Sequence, residues 1–148
     1  MSNRRFFITR AIVGPTVGFG LTSLSFGNSA GHPDRRWYDV AAQMLERARS
    51  WNDQPYGAVL VAGGAVIGEG PSRVVRDGNP DAHAERVAIA DAQRRLGRTD
   101  LAGSVLYSTS RPCAACEAAA YRAGVSRMYV GAALDDAGRP GVAGRWSR

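Results

Sequence analysis

Tyr56-Gly57-Ala58-Val59-Leu60-Val61-Ala62, then Gly63-Gly64, then Ala65-Val66-Ile67-Gly68-Glu69, is the stretch that decides the fold. Two short β-favouring runs flank a glycine pair suited to a tight turn, so residues 56–69 read as an antiparallel hairpin. Upstream, over residues 34–50, Trp37, Val40, Ala41, Met44, Leu45 and Ala48 recur at three- and four-residue steps with charges between them. That spacing predicts an amphipathic helix, which the cluster Asn52-Asp53-Gln54-Pro55 ends. Downstream, a turn-rich loop over residues 71–80 leads to a helix with Asp81 as its expected N-cap, running to Leu96 and stopped by Gly97. Residues 104–109 read as a strand, 114–123 as an alanine-rich helix ended by Gly124, and 127–132 as a last strand. After Leu134 no periodicity is visible. The order α-β-β-α-β-α-β predicts an α/β fold with three layers, α-β-α: a mixed sheet of four to five strands flanked by helices.

The 148 residues are enough for one domain and too few for two ordinary ones. With 45% hydrophobic and 22% charged residues the chain is globular rather than disordered or fibrous. All 19 basic residues are arginine. The absence of lysine excludes Schiff-base chemistry and a P-loop lysine. Two cysteines exclude a disulfide framework. The net charge of +6 is unevenly spread, because Arg4, Arg5 and Arg10 lie in a first thirty residues that hold no acid. The remainder is only mildly basic, which does not by itself mark a polyanion binder.

Residues 1–30 differ in texture from the rest. Arg4-Arg5 opens a charged head, an apolar stretch follows over residues 11–26, and Gly27-Asn28-Ser29-Ala30 supplies small residues for cleavage. This is the layout of an export signal, and it is too short and too broken by glycine and proline to be a stable membrane span. Asn3-Arg4-Arg5-Phe6-Phe7-Ile8-Thr9 resembles a twin-arginine signal, with Thr9 standing where lysine is common. The expectation is an exported, periplasmic or secreted bacterial protein, handled by the twin-arginine machinery, with a domain over residues 31–148.

Both cysteines lie in Pro112-Cys113-Ala114-Ala115-Cys116, and one of two histidines in His83-Ala84-Glu85. Each group opens a predicted helix. Cys113 and Cys116, three apart, share one face of a first turn, where the helix dipole favours thiolate. One nitrogen and two sulfurs make an open zinc site with its fourth position left for water. Zinc brings the pKa of that water to about 7, and Glu85 is the carboxylate placed to carry its protons. Cys-x-x-Cys alone, outside the cytoplasm, is more often a disulfide or a thioredoxin-like redox pair than a zinc clamp. His32 reads as a solvated terminal residue.

These residues resemble the zinc signature of the cytidine/deoxycytidylate deaminase superfamily. The likeness extends through 55–61, 66–70, 82–85 and 106–108, in the order and spacing of guanine deaminases and tRNA adenosine deaminases, and spans residues 35–140. It implies a mixed five-stranded sheet and one zinc ion per chain on His83, Cys113 and Cys116. It also implies Glu85 as proton shuttle, and attack of zinc-bound hydroxide on an amino-bearing ring carbon with loss of ammonia. Backbone near Ala84 and Cys113 would contact the base, and Tyr56 would line its pocket unless it faces the core. Three positions depart from the family. Ser72 stands in place of a base-binding asparagine, and Arg111 replaces a glutamate before the Pro-Cys pair. The chain also ends at Arg148, where relatives often continue, so an open pocket or one completed by a second subunit of a homodimer would follow.

The favoured function is a zinc-dependent hydrolase acting on a free nucleobase or nucleoside, a purine such as guanine or adenine first. The alternatives are a secreted polynucleotide deaminase using Arg73, Arg76 and Arg111 in a strand groove, and a non-catalytic zinc-binding or Cys-x-x-Cys redox module.

Overall fold

The computed structural model describes residues 33–142. The export signal read over residues 1–30, its cleavage zone and His32 lie outside the described residues. The hairpin forms from β1 (Gly57–Ala62) and β2 (Ala65–Pro71), antiparallel, with a bulge between Leu60 and Val61. Gly63 and Gly64 turn it at φ of 58° and 75°, the left-handed pair that a two-residue hairpin of matching twist requires. Before it, α1 (Arg35–Ser50) starts on Asp34, whose carboxylate accepts the Arg36 N–H at 3.1 Å. Its buried stripe is Ala41, Met44 and Ala48.

The remaining elements are α2 (Ala84–Leu96), β3 (Val105–Ser108), α3 (Ala114–Arg122), β4 (Arg127–Val130) and β5 (Asp135–Gly138). The sheet order is β2-β1-β3-β4-β5. Because β2 and β3 both pair antiparallel with β1, they run the same way and α2 crosses between them. Strands β3 and β4 are parallel neighbours joined by α3. Strand alternation sorts the core into two layers. Val59, Val61, Tyr107 and Tyr129 meet Ala41 and Met44 of α1 on one face. Ala58, Leu60, Leu106, Met128 and Val130 meet Ala84, Ala88, Ala92 and Ala120 of α2 and α3 on the other. The result is the expected three-layer α-β-α arrangement. Among the described residues, no helix is long and apolar enough to cross a membrane.

The approach of α2 to the sheet is unusually close, and small residues make it so. A Cβ on Gly70 would lie 2.0 Å from the Ala84 carbonyl oxygen, and one on Gly68 would lie 2.3 Å from that of Ala88. Glycine on the strand faces the stripe Ala84, Ala88, Ala92 on the helix, and the backbones come together. This contact sets the height of the first turn of α2 over the sheet.

Two expectations need correction. Asp81 does not cap α2. Its own N–H donates to Asn79 Oδ1 and its carboxylate pairs with Arg86 at 2.6 Å, while His83 takes the cap position. Strand β5 falls in the region without periodicity, since only Ala137 of its four residues is buried. What holds it at the sheet edge is polar: Asp136 accepts from Arg127 Nε at 3.0 Å across the β4–β5 pair.

Candidate functional site

The carboxyl ends of β2 and β3 lead into the segments that start α2 and α3, so both helix N-termini gather at one end of the sheet. That is where open α/β sheets place their sites. His83 has extended φ and ψ of −64° and 153°, and its side chain makes no capping hydrogen bond. The imidazole is therefore free to turn toward α3. Its Nδ1 lies 3.4 Å from Cys116 Sγ and 3.6 Å from Cys113 Sγ. Cys113 caps α3, accepting the Cys116 N–H on its sulfur at 3.4 Å. Both cysteines are free thiols, so the disulfide alternative is not the state of this structure.

The donor set fits zinc. With Zn–S of about 2.3 Å and Zn–N of about 2.0–2.1 Å, a tetrahedral ion holds an N and an S donor about 3.6 Å apart. The two observed N···S separations, 3.4 and 3.6 Å, match that spacing, and all three donor atoms lie within 4.8 Å of one another. Burial pushes the Cys116 thiol far above its ordinary range, and the Glu85 charge and Cys113 raise it further. A metal-free Cys116 is thus a protonated thiol, and metal uptake displaces its proton.

Glu85 is only 4% exposed, and its Oε1 accepts a 2.7 Å hydrogen bond from Ser108 Oγ. Its charge is among the causes that raise the Cys116 thiol. On a regular helix His83 and Glu85 would point about 200° apart. Both reach one site because His83 is the extended cap and Glu85 lies within the first turn.

The other candidates divide. Ala84 is fully buried against Gly70, so only its backbone is available, as the first N–H of a helix with no carbonyl four residues back. Tyr56 is 43% exposed, which removes the core alternative for its ring. Its neighbour Gly57 bonds with Thr109, at the site end of the sheet. Ser72 is fully buried and its hydroxyl donates to Asp53 at 2.9 Å, so it braces the loop rather than facing open space. Arg111 is exposed, just before the thiol segment.

Two residues were not singled out by sequence reasoning. Asp53 accepts from Ser72 Oγ and from the N–H groups of Gln54, Val75 and Arg76, tying the 71–80 loop to the end of α1. Ser108 holds Glu85. The signal for Ser108 was a hydroxyl at a strand position whose alternation demands an apolar residue.

The family of cytidine and deoxycytidylate deaminase zinc-binding regions matches residues 32–132. The chain belongs to this deaminase family. Guanine deaminase of Bacillus subtilis (strain 168) is 39% identical over 87 residues, 59% of this chain and 56% of that protein. The chain thus spans little more than half of that relative. The tRNA-specific adenosine deaminase of Buchnera aphidicola subsp. Schizaphis graminum is 31% identical over 70% of this chain and 68% of its own. Among solved structures, a tRNA:A34 deaminase studied for A-to-I editing superposes with a TM-score of 0.64 at 35% identity, covering 66% of this chain and 71% of that one. The X-ray structure of Bacillus subtilis guanine deaminase gives 0.64 at 31%, covering 68% and 64%. The zinc-type deaminase family and its mixed five-stranded fold are thereby established for this chain.

A groove of about 620 Å³ runs beside α2, away from the metal donors. Its arginines are engaged in ion pairs, including Arg73 with Asp77 and Arg47 with Glu69. It is a charge-compensated surface that none of the three donor residues lines.

Proposed function

We propose that the protein is a zinc-dependent hydrolytic deaminase of a free nucleobase or nucleoside, with a purine as the first candidate. The observation that carries this reading is one nitrogen and two sulfur donors at zinc spacing with a buried carboxylate beside them. Zinc held by His83, Cys113 and Cys116 supplies Lewis-acid activation of a water. Glu85 accepts a proton from the attacking water and delivers it to the amino nitrogen. The ring carbon becomes a carbonyl and ammonia leaves. The N–H groups at the start of α2 and the exposed ring of Tyr56 are the groups offered to the base. Open access at Cys113, Ala114 and Ala115, all exposed, suits a substrate entering over the N-terminus of α3.

Ammonia release from a panel of aminated purines, pyrimidines and their nucleosides tests the reading, with Glu85→Gln as the control. The expected loss in the control is at least about 10²–10⁴-fold with zinc retained. Equal rates would remove Glu85 from the proton path.

Similarity to tRNA-specific adenosine deaminases favours a second substrate class, an adenosine presented in an RNA loop. Against it, Arg73 is paired with Asp77 and Arg76 is stacked on Trp51 at 4.3 Å, which leaves no continuous basic track through them. RNA binding that weakens steeply with salt would favour this class over the first. Export is also part of the proposal, on the basis of Arg4-Arg5 and the apolar stretch after them. A processed chain found outside the cytoplasm is the expected outcome.

A further inference from the structure

We propose that Ser108 is a positioning residue for the reaction: its hydroxyl fixes Oε1 of Glu85 and so leaves Oε2 as the oxygen that handles the proton. The inference rests on the deaminase reading given above and names a part of the site that the zinc-binding motif does not contain.

Ser108 ends β3, a central strand, and its place in the fold is tightly determined. It pairs with Ala58 of β1 on one side and Val130 of β4 on the other, and its carbonyl accepts the Gly131 N–H at 2.9 Å. Alternation puts its side chain on the same face as Leu106, toward α2 and α3. The position is fully buried, so an apolar residue would serve packing equally well. A hydroxyl here needs a partner, and it has one at 2.7 Å in Glu85.

The direction of that bond is determined as well. Ser108 Oγ accepts from the Ser110 N–H at 3.4 Å, so an approaching donor already occupies one side of the oxygen. A carboxylate can only accept, and the Ser108 proton therefore points to Glu85. A buried carboxylate on the first turn of a helix would otherwise have several rotamers open to it. Tying one oxygen to a rigid strand restricts the carboxylate to rotamers that reach Ser108. With Oε1 held by the strand, proton exchange is assigned to the second oxygen. Preorganisation of this kind acts on the chemical step more than on substrate binding.

The test uses zinc-loaded full-length protein with Ser108→Ala, Ser108→Thr, and each combined with Glu85→Gln. Ser108→Ala is expected to lower kcat by about 10–100-fold while KM stays within about twofold and zinc remains at one per chain by elemental analysis. Ser108→Thr, which keeps the hydroxyl, restores kcat to within a few-fold of wild type. In the Glu85→Gln background, Ser108→Ala changes the residual rate little. An unchanged kcat in Ser108→Ala, or an equal fractional loss with and without Glu85, overturns the proposal. A second arm reads the pair without turnover: the shift in urea midpoint caused by Ser108→Ala should largely vanish when Glu85 is alanine. Additive shifts also overturn it. If the wild type releases no ammonia from any substrate while the urea cycle shows coupling, the deaminase reading fails and the Ser108–Glu85 linkage stands.

Discussion

Asp53 shows how one side chain can govern a loop. Burial alone raises its carboxyl pKa, but the N–H groups of Arg76 and Gln54, the Ser72 hydroxyl and the Val75 N–H outweigh that and hold it below the ordinary value. Asp136 is lowered too, chiefly by its hydrogen bond from Arg127. A carboxyl depressed in the folded state stabilises the fold above its unfolded pKa of about 3.9, and that contribution disappears as pH falls through the folded pKa. Asp53→Ala should therefore lower stability at pH 7 by about 1–3 kcal/mol. The gap from wild type should close as the pH is taken below 4, read as thermal midpoint against pH. A gap that widens with acidity would contradict the assignment. At this scale the convergence of His83, Cys113 and Cys116 was legible in the sequence, because spacing and residue type restrict it. Asp53 was not: three of its four partners lie 19 to 23 residues away, and an aspartate in a breaker cluster looks like any other turn residue.

The elements were legible where periodicity is strong. Helix α1 and the hairpin declared themselves through apolar stripes and a glycine pair, and α3 through its alanine run. The start of α2 moved from Asp81 to His83 because local capping preference ignores what the imidazole must reach. Strand β5 was invisible, being held by Arg127–Asp136 pairing instead of an apolar face. The glycines of β2 yield a prediction at this scale. Gly70→Ala puts a Cβ 2.0 Å from the Ala84 carbonyl, so α2 must shift away from the sheet. A loss of about 2–4 kcal/mol is expected in urea unfolding, with weakened zinc retention because His83 moves with the helix. Gly63→Ala meets nothing within 4 Å and is strained only by its φ of 58°, so it should cost about 1 kcal/mol and leave zinc untouched.

For the whole molecule, the three donor residues bring together the N-termini of two helices that arrive from different strands, and zinc held there would tie them. Removing zinc with a chelator should lower Tm and make the exposed Cys113 reactive toward a thiol reagent, with the buried Cys116 following only on unfolding, whereas a disulfide would leave neither reactive. Zinc present at a thousandfold over its Kd contributes about 4 kcal/mol, on the order of 10 °C or more in Tm. Uptake at pH 7 should release protons, and affinity should fall as pH falls, because the Cys116 thiol is raised by burial and holds its proton tightly. Calorimetry in two buffers of different ionisation heat measures the released protons directly. Absence of proton release would mean that Cys116 is not a ligand.

His83 occupies the opening position of α2 without its side chain capping the helix, as that of a serine or aspartate there would. The fold thus surrenders roughly 1 kcal/mol of helix-end stabilisation so that an imidazole can face two sulfurs. Evolution of this scaffold for heat resistance in a metal-depleted medium would push that position toward an oxygen-bearing side chain. The survivors would be sturdier and inert, because endurance and zinc capture pull this single residue in opposite directions.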